Sequence, residues 1–303
     1  MTEIRFDDRV VIVTGAGGGL GKTYALDLAR RGAKVVVNDL GSAPDGSGGT
    51  TSMADATVKE IEEAGGEAVA NYDSVATPEG GESIVRTALD KWGRVDAVIN
   101  NAGILRDKTF AKLTREELEI VLDVHLKGAF FVTQPAFRVM KEQGYGRLVF
   151  TASAAGIFGN FGQSNYGAAK TGLVGLSNVL AQEGAKYNIK SNVIAPIART
   201  RLTENLLGPA AANLDPECVT GLTVFLASEA CDFTHEIFAV GGGRYARIFI
   251  AEARGWFKGP GAKATAEEIL EHLDEVRSTE GFVIPSGIGD EMKLMMDVMK
   301  EGR

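Results

Sequence analysis

The stretch TGAGGGLG, Thr14 to Gly21, lies between the apolar run Val10–Val13 and a segment whose apolar residues, among them Ala25 and Leu28, have helical spacing. A buried strand, a glycine turn and a helix in this order begin a strand–helix–strand unit. Five more apolar runs rich in branched residues alternate with helical segments: Lys34–Asn38, Ala68–Asn71, Val95–Ile99, Arg147–Phe150 and Ser191–Ala195. Because these runs are apolar throughout, the sequence predicts a doubly wound α/β fold, a parallel sheet with helices on both faces.

The glycine turn is a candidate phosphate-binding site. Gly15, Gly19 and Gly21, with Leu20 between the last two, allow the backbone to bend tightly and to approach a pyrophosphate. The helix behind them offers free N–H groups and a favourable dipole. The spacing is G-x-x-x-G-x-G rather than G-x-G-x-x-G, and a flexible turn without a ligand is the alternative.

Asp39 ends the second apolar run, 18 positions after Gly21, close to the separation of about 20 expected in dinucleotide-binding units. A carboxylate there accepts hydrogen bonds from the adenosine ribose and repels a 2'-phosphate. The residue before Gly19 is Gly18 and not a basic one. We therefore expect NAD rather than NADP as the cofactor, with a turn cap in Asn38-Asp39-Leu40-Gly41 as the alternative role of the carboxylate.

Composition and charge exclude several classes of function. The chain of 303 residues has 40 acidic and 32 basic side chains without long runs of one sign, so we expect neither a nucleic-acid partner nor a membrane surface. Two cysteines and three histidines are too dispersed for a recognisable metal site. We find no signal-peptide pattern and no apolar stretch of spanning length, and therefore expect a cytoplasmic protein.

Tyr166 and Lys170 are the candidate reaction centre. They lie four positions apart in the segment Asn165–Ala181, which has a helical pattern, so they share one helix face. An ammonium close to a phenol favours the phenolate and makes the tyrosine usable in proton transfer. Ser153, thirteen residues before Tyr166, offers a hydroxyl for a substrate oxygen, and a turn serine in Ala152-Ser153-Ala154 is the alternative.

Together these motifs resemble the short-chain dehydrogenase/reductase family. The matching motifs follow the family order within residues 9–243: Thr14–Gly21, Asp73, Asn100-Asn101-Ala102-Gly103, Ser153, Tyr166, Lys170 and Pro196. The resemblance implies a Rossmann-type sheet of seven strands in a catalytic domain over residues 1–243, and a homodimer or homotetramer. It implies that Tyr166 is the general acid–base, that Lys170 binds the nicotinamide ribose and that Ser153 orients the substrate oxygen.

The same resemblance implies the remaining contacts with the cofactor. Asp73 would meet the adenine, with Ser74 beside it, and Pro196 would lie at the nicotinamide end. Three consecutive residues would line the groove between them: Asn101, Ala102 and Gly103.

One departure from the family pattern concerns the proton path. The family commonly has an asparagine in an Asn-x-x-Gly motif after the fourth strand, where it helps to relay a proton to solvent. Here the stretch reads Val124-His125-Leu126-Lys127-Gly128. His125 takes the relay role, since an imidazole both donates and accepts hydrogen bonds. The alternative is that His125 only packs and a backbone carbonyl takes part in the relay instead.

A narrower resemblance, to the dehydrogenase portion of peroxisomal multifunctional enzymes of type 2, is carried by Asn38–Gly41, Ala70–Val75, Ala102–Asp107 and Gly156–Asn165. It implies NAD-dependent oxidation of a (3R)-hydroxyacyl-CoA to the 3-ketoacyl-CoA. Another hydrophobic secondary alcohol, such as a 17β-hydroxysteroid, is the alternative substrate. A non-catalytic nucleotide-binding scaffold is the alternative of a different class.

Residues 244–303 form a predicted helical extension, which packs on the same domain or on a partner subunit. Thr265 and Glu268 have the spacing of a capping box at the start of one helix. A second helix follows and carries four methionines at helical spacing: Met292, Met295, Met296 and Met299. We expect these methionines in a core, with an acyl or steroid channel as the alternative.

Overall fold

A mostly parallel sheet of eight strands forms the centre of the structure, a computed structural model that describes residues 3–200, 203 and 212–302. The strands are β1 Val10–Thr14, β2 Lys34–Asn38, β3 Glu67–Asn71, β4 Ala97–Asn100, β5 Gly146–Thr151, β6 Ile189–Pro196, β7 Ile237–Gly241 and β8 Arg244–Ile248. Their order is β3-β2-β1-β4-β5-β6-β7-β8, and the pairs from β3 to β7 are parallel. This is the strand order of a doubly wound nucleotide-binding fold and confirms the predicted fold class.

The sheet has one strand more than the seven expected. β8 follows β7 after Gly242 and Gly243, a connection of the length used by hairpins. Both glycines have positive φ, 55° and 78°, a backbone conformation that a residue with a Cβ adopts only at a cost. The extra strand extends the sheet at the β7 edge.

Helices cover the sheet. They are α1 Gly19–Arg30, α2 Ser52–Glu63, α3 Pro78–Trp92, α4 Arg115–Leu122, α5 Gly128–Gln143, α6 Ala154–Phe158, α7 Ser164–Gly184 and α8 Glu217–Ala227. Thr77 caps α3 by accepting a hydrogen bond from the N–H of Gly80. Thr114 and Glu117 form the capping box of α4, and a π-helical turn, Asp123–Lys127, joins α4 to α5.

The core under the nucleotide-binding end consists of strand side chains. Val11, Val13, Val35 and Val37 are fully buried in one cluster with Leu28 of α1. Burial of each such side chain stabilises the fold by about 1.5–3 kcal/mol. Because β1 and β2 are parallel and in register, with Val13 opposite Val37, their carboxyl ends meet at one edge of the sheet. The loops that leave these ends therefore share one cleft.

By contact density the chain divides into two compact units, Met1–Arg247 and Ile248–Arg303; the boundary predicted after residue 243 stays a prediction. The second unit contains α9 Ala266–Glu271, α10 Leu273–Val276 and α11 Ile288–Glu301. The capping box of Thr265 and Glu268 is formed at α9. Within the described ranges, no helix combines the length and apolar character needed to cross a membrane.

The expectation that the methionines of α11 pack in a core is wrong. α11 buries Leu294 and Val298 instead. The four methionines, Met292, Met295, Met296 and Met299, are 42–50% exposed. Helical spacing alone identified an apolar face, and it could not show whether the rest of the chain covers that face.

Candidate active site

One cleft lies at the carboxyl ends of β1 and β4, the point where the strand order reverses. It brings together most of the residues predicted to contact a cofactor: Gly15, Gly19, Leu20, Asp39, Asp73, Ser74, Asn101, Ala102, Gly103, Tyr166, Lys170 and Pro196. His125 lines the same cleft. Gly21 and Ser153 lie outside the lining, and each contacts a residue that belongs to it.

Gly21 supports the turn from behind. A Cβ on Gly21 would lie 2.2 Å from the carbonyl oxygen of Gly15, so only glycine lets α1 start this close to the end of β1. The Gly18 position at the start of α1 has no side-chain cap, and the first turn of α1 contains no acidic residue. The free N–H groups of that turn, together with the helix dipole, suit a pyrophosphate.

Asn101 holds the turn in place from the neighbouring strand. Its side-chain amide donates to the carbonyl oxygens of Thr14, at 2.9 Å, and Gly15, at 3.1 Å. In return the Thr14 hydroxyl accepts hydrogen bonds from the backbone N–H groups of Asn101 and Ala102. The turn and the segment after β4 are therefore one hydrogen-bonded unit.

The Asp39 carboxylate faces the same turn. Its Oδ2 accepts a hydrogen bond from the N–H of Gly17 at 2.8 Å, and its Oδ1 accepts one from Gly41 at 2.7 Å. The second bond is the turn cap that we considered as the alternative. An ionised carboxylate has about four lone-pair sites, so these two bonds leave acceptor capacity for a ribose hydroxyl.

Two asparagines, Asn38 and Asn71, hold Asp73 in the lining of the cleft. Asn38 donates through Nδ2 to the Asn71 side-chain oxygen and to the backbone carbonyl of Asp73, both at 2.9 Å. Asn71 donates to Asp73 Oδ2, also at 2.9 Å. The ends of β2 and β3 thus fix the position of Asp73 in the cleft lining.

Tyr166 and Lys170 lie on α7 as predicted, with the Lys170 Nζ 5.4 Å from the centre of the Tyr166 ring. Lys170 donates a hydrogen bond of 2.5 Å to the carbonyl oxygen of Thr151, at the end of β5. Ser153 accepts a hydrogen bond from the N–H of Ala155 and so caps α6, which is the turn role we considered. Its hydroxyl also lies close enough to the Tyr166 hydroxyl to lower the pKa of Tyr166.

Burial shifts both members of the pair towards their neutral forms. Lys170 is 3% exposed, and desolvation lowers its pKa to about 7. Desolvation raises the pKa of Tyr166, more than the hydrogen bond from Ser153 lowers it. From the spacing we had expected the Lys170 ammonium to favour the phenolate. It does not do so by itself, because a buried ammonium is itself disfavoured.

His125 lies in the π-helical turn and contacts the segment after β4. Its Nε2 is 3.0 Å from the backbone nitrogen and 2.8 Å from the carbonyl oxygen of Ile104, while its ring meets the Tyr166 ring edge-on at 5.2 Å. Burial, and then the charge of Lys170, lower the pKa of His125 well below its usual value. A Cβ on Gly103 would lie 2.3 Å from the imidazole Cε1, so the ring occupies space that any side chain at position 103 would need.

Sequence reasoning missed part of the cleft. The glycine-rich segment Gly41–Thr51 after β2 contributes four lining residues: Ser42, Ala43, Pro44 and Gly46. The carbonyl oxygen of Pro44 accepts a hydrogen bond from the N–H of Leu105 at 3.0 Å. Ala198, Thr200 and Thr203, which follow β6, also line the cleft.

Such a fold and cleft define the class: a Rossmann-type oxidoreductase with a nucleotide-binding turn and a tyrosine–lysine pair in one site. The chain belongs to the short chain dehydrogenase family, whose model matches residues 9–207.

Individual proteins of similar sequence and structure are found within and beyond this family description. The chain is 55% identical over 242 residues to a Mycobacterium tuberculosis protein of the short-chain type dehydrogenase/reductase class, covering 80% of this chain and 85% of that protein. It is 54% identical over 241 residues to peroxisomal multifunctional enzyme type 2 of Mus musculus, covering 79% of this chain and 32% of that enzyme. The structure of full-length peroxisomal multifunctional enzyme type 2 from Drosophila melanogaster matches with a TM-score of 0.82 and 36% identity, covering 98% of this chain and 50% of that chain.

These similarities confirm both resemblances that the sequence motifs suggested. The chain spans about a third of the mouse enzyme and half of the fly chain.

The burial of Lys170 predicts a pH-dependent stability. In the unfolded chain this lysine keeps its proton up to about pH 10.5, whereas in the folded protein it loses the proton near pH 7. Between these values the unfolded state binds more protons, so the contribution of Lys170 to the free energy of unfolding increases with pH. In thermal unfolding without cofactor, we expect Lys170→Met to raise Tm most near pH 6.5, and by less as the pH rises.

The exposed Lys59 provides the control, because Lys59→Met also removes one ammonium. We expect its effect on Tm to vary little with pH. A Tm difference between Lys170→Met and wild type that is constant, or that grows towards pH 9.5, would contradict the assignment of a buried, destabilised ammonium.

Proposed function

We propose that this oxidoreductase is an NAD-dependent (3R)-hydroxyacyl-CoA dehydrogenase. The observation that carries the proposal is one cleft that contains both the nucleotide-binding turn with Asp39 and the Tyr166–Lys170 pair with Ser153 beside it. The substrate class is supported by the resemblance to multifunctional enzymes of type 2 and by the extent of the match to the fly structure.

The cofactor site fits NAD through residues of this chain. The uncapped N-terminus of α1 suits the pyrophosphate, and Asp39 retains acceptor capacity for the adenosine ribose and would repel a 2'-phosphate. When bound, the oxidised nicotinamide ring supplies the acceptor for the hydride that leaves the alcohol carbon. A positive charge there would offset the burial that raises the pKa of Tyr166.

Each catalytic residue has a separate task in this proposal. Tyr166 takes the proton from the alcohol oxygen as the carbonyl forms. Ser153, whose hydroxyl lies beside that of Tyr166, donates to the same substrate oxygen and fixes its position. Lys170, held by the carbonyl oxygen of Thr151, binds the nicotinamide ribose and, as the neutral amine that its lowered pKa makes accessible, takes up the proton passed on from Tyr166.

We further propose that His125 belongs to the proton path behind Lys170. Its Nδ1 is buried and has no hydrogen-bond partner among the described residues. A small cavity of about 10 Å³, lined by His125, Lys170 and Thr14, has room for one water molecule. Such a water could connect the Lys170 ammonium to Nδ1 while Nε2 stays bonded to the Ile104 peptide.

The substrate proposal is tested with purified enantiomers. We expect NADH to form from NAD with (3R)-hydroxyacyl-CoA and much less with the 3S form, because a fixed Ser153–Tyr166 pair and a fixed ring face accept one hand of the alcohol. A 17β-hydroxysteroid and a small secondary alcohol complete the panel. Turnover of another alcohol, without turnover of the 3R form at any chain length, would contradict the proposed substrate. The protein would still be an alcohol-oxidising enzyme.

The role of Tyr166 is tested by Tyr166→Phe, which keeps the ring and removes the hydroxyl. We expect kcat to fall by at least about 10²-fold, the usual loss for a missing acid–base group, while NAD binding measured by calorimetry stays near wild type. Tyr145→Phe is the control, because this buried tyrosine contacts Arg9 and Arg147 and not the cleft. Full activity in Tyr166→Phe, or an equal loss in the control, would remove Tyr166 from its proposed role.

The role of His125 is tested by comparing His125→Asn with His125→Leu. An amide can still hold the Ile104 peptide and a water, whereas leucine can do neither. We expect kcat to fall by about tenfold or more in His125→Leu and by less in His125→Asn. Since the lowered pKa keeps this imidazole neutral, we expect the pH profile of kcat near pH 6.5 to have the same shape in His125→Asn as in wild type. A folded His125→Leu protein with wild-type kcat would show that the ring only packs.

We also propose a homodimer or homotetramer, supported by the exposed apolar face of α11, where Ile288 is 75% exposed beside the four methionines. Contiguous exposed apolar surface is typical of an interaction site. Sedimentation at micromolar concentration tests this proposal, and a monomer at all concentrations would contradict it. A cytoplasmic location stays a prediction, to be tested by fractionation of cells that express the chain.

A further inference from the structure

Asn165 directly precedes Tyr166 in the first turn of α7 and is 1% exposed. The residue at the N-cap position of this helix, Gln163, makes no capping hydrogen bond with its side chain. The first N–H groups of a helix have no partner within the helix, so an uncapped first turn frays. Tyr166 lies within that turn.

The amide of Asn165 replaces the missing cap. Its Oδ1 accepts a hydrogen bond of 2.8 Å from the backbone N–H of Tyr166. Its Nδ2 donates to two carbonyl oxygens, those of Arg106 at 2.9 Å and of Glu117 at 3.1 Å. One buried side chain thus joins the start of α7 to the segment after β4 and to α4.

Neighbouring bonds support the same junction. The Gln163 side chain donates to Asp107 Oδ2 at 2.8 Å, and the backbone N–H of Lys108 donates to the carbonyl oxygen of Gly162 at 2.8 Å. The segment after β4 therefore lies against the start of α7 through main-chain and side-chain bonds. Because Lys170, one turn later, is fixed separately by Thr151, the junction sets where Tyr166 stands relative to its lysine.

We infer that Asn165 is a positioning residue for Tyr166: it holds the tyrosine backbone at the geometry in which the phenol meets Ser153 and the substrate oxygen. This inference rests on the proposed function of Tyr166 as the acid–base group. Asn165 contacts the backbone of Tyr166 and two carbonyl oxygens, so its effect on the reaction passes through the placement of the tyrosine.

A matched control exists in the same unit. Asn192 on β6 is fully buried, accepts a hydrogen bond of 3.1 Å from the N–H of Glu236 and donates to the carbonyl oxygen of Phe233 at 3.3 Å. It therefore has the same kind of bonds as Asn165 and lies outside the cleft lining. A merely structural asparagine should behave like Asn192.

The experiment compares Asn165→Ala and Asn165→Asp with Asn192→Ala, in the full chain with NAD and the best alcohol of the panel. Alanine removes all the amide bonds, whereas aspartate keeps the acceptor for the Tyr166 N–H and loses both donations. We expect both alanine variants to lower Tm. Only the Asn165 variants should lower kcat, by about 10- to 100-fold for a displaced catalytic group, with little change in the KM for NAD.

The pH profile separates displacement from general instability. Displacing Tyr166 from Ser153 removes the contact that lowers the pKa of Tyr166, so this pKa rises and the rising limb of alcohol oxidation moves to higher pH. We expect this shift in Asn165→Ala and none in Asn192→Ala. If Asn165→Ala does not fold, Asn165→Asp tests kcat alone, because its carboxylate would raise the pKa of Tyr166 by charge without any displacement.

Three results would overturn the inference: a folded Asn165 variant with wild-type kcat and pH profile, an equal loss of kcat in Asn192→Ala, or no change in exchange of the Tyr166 amide hydrogen in Asn165→Ala. Amide exchange, followed by NMR, needs no substrate. A wild-type protein that oxidises no alcohol would reject the proposed function. Faster exchange in Asn165→Ala would then still support the structural part of the inference.

Discussion

The close approach of α1 to the end of β1 is the constraint on which the rest of the site depends. It is possible because Gly21 presents no Cβ to the carbonyl oxygen of Gly15, and it brings the free N–H groups of a helix to the edge where the strand order reverses. Asn101 then ties this turn to the segment after β4. That segment reaches α7 through the carbonyl oxygen of Arg106, so the nucleotide-binding turn and Tyr166 belong to one connected framework.

Desolvation governs the chemistry inside this framework. It lowers the pKa of Lys170 to about 7 and raises that of Tyr166, so the two groups tend towards neutrality when the protein is alone. A cationic nicotinamide bound beside them would reverse the balance for the tyrosine. The tyrosine would then gain its basic strength from the assembled site, and activity would be coupled to cofactor binding through charge.

Patterns of local origin were readable from the sequence. Buried parallel strands are apolar throughout, so most strand positions were correct within two residues, and the capping boxes at Thr114 and Thr265 follow from short-range bonds. The junction made by Asn165 was not predictable, because its partners are 48 and 59 residues away. Nor was the exposure of the α11 methionines, since helical spacing identifies an apolar face but not what covers it. His125 was recognised as a departure, but its bond to Ile104 needed the structure.

The central claim is that one cleft holds a dinucleotide through the turn and Asp39 and places the reacting carbon beside Ser153 and Tyr166. A crystal structure of the chain with NAD and a 3-ketoacyl-CoA tests this most directly. The account predicts the 3-oxo oxygen within about 3.2 Å of both the Tyr166 and Ser153 hydroxyls, with Asp39 bonded to the adenosine ribose. A complex in which the nicotinamide or the ketone oxygen lies away from Tyr166 and Ser153 would contradict it.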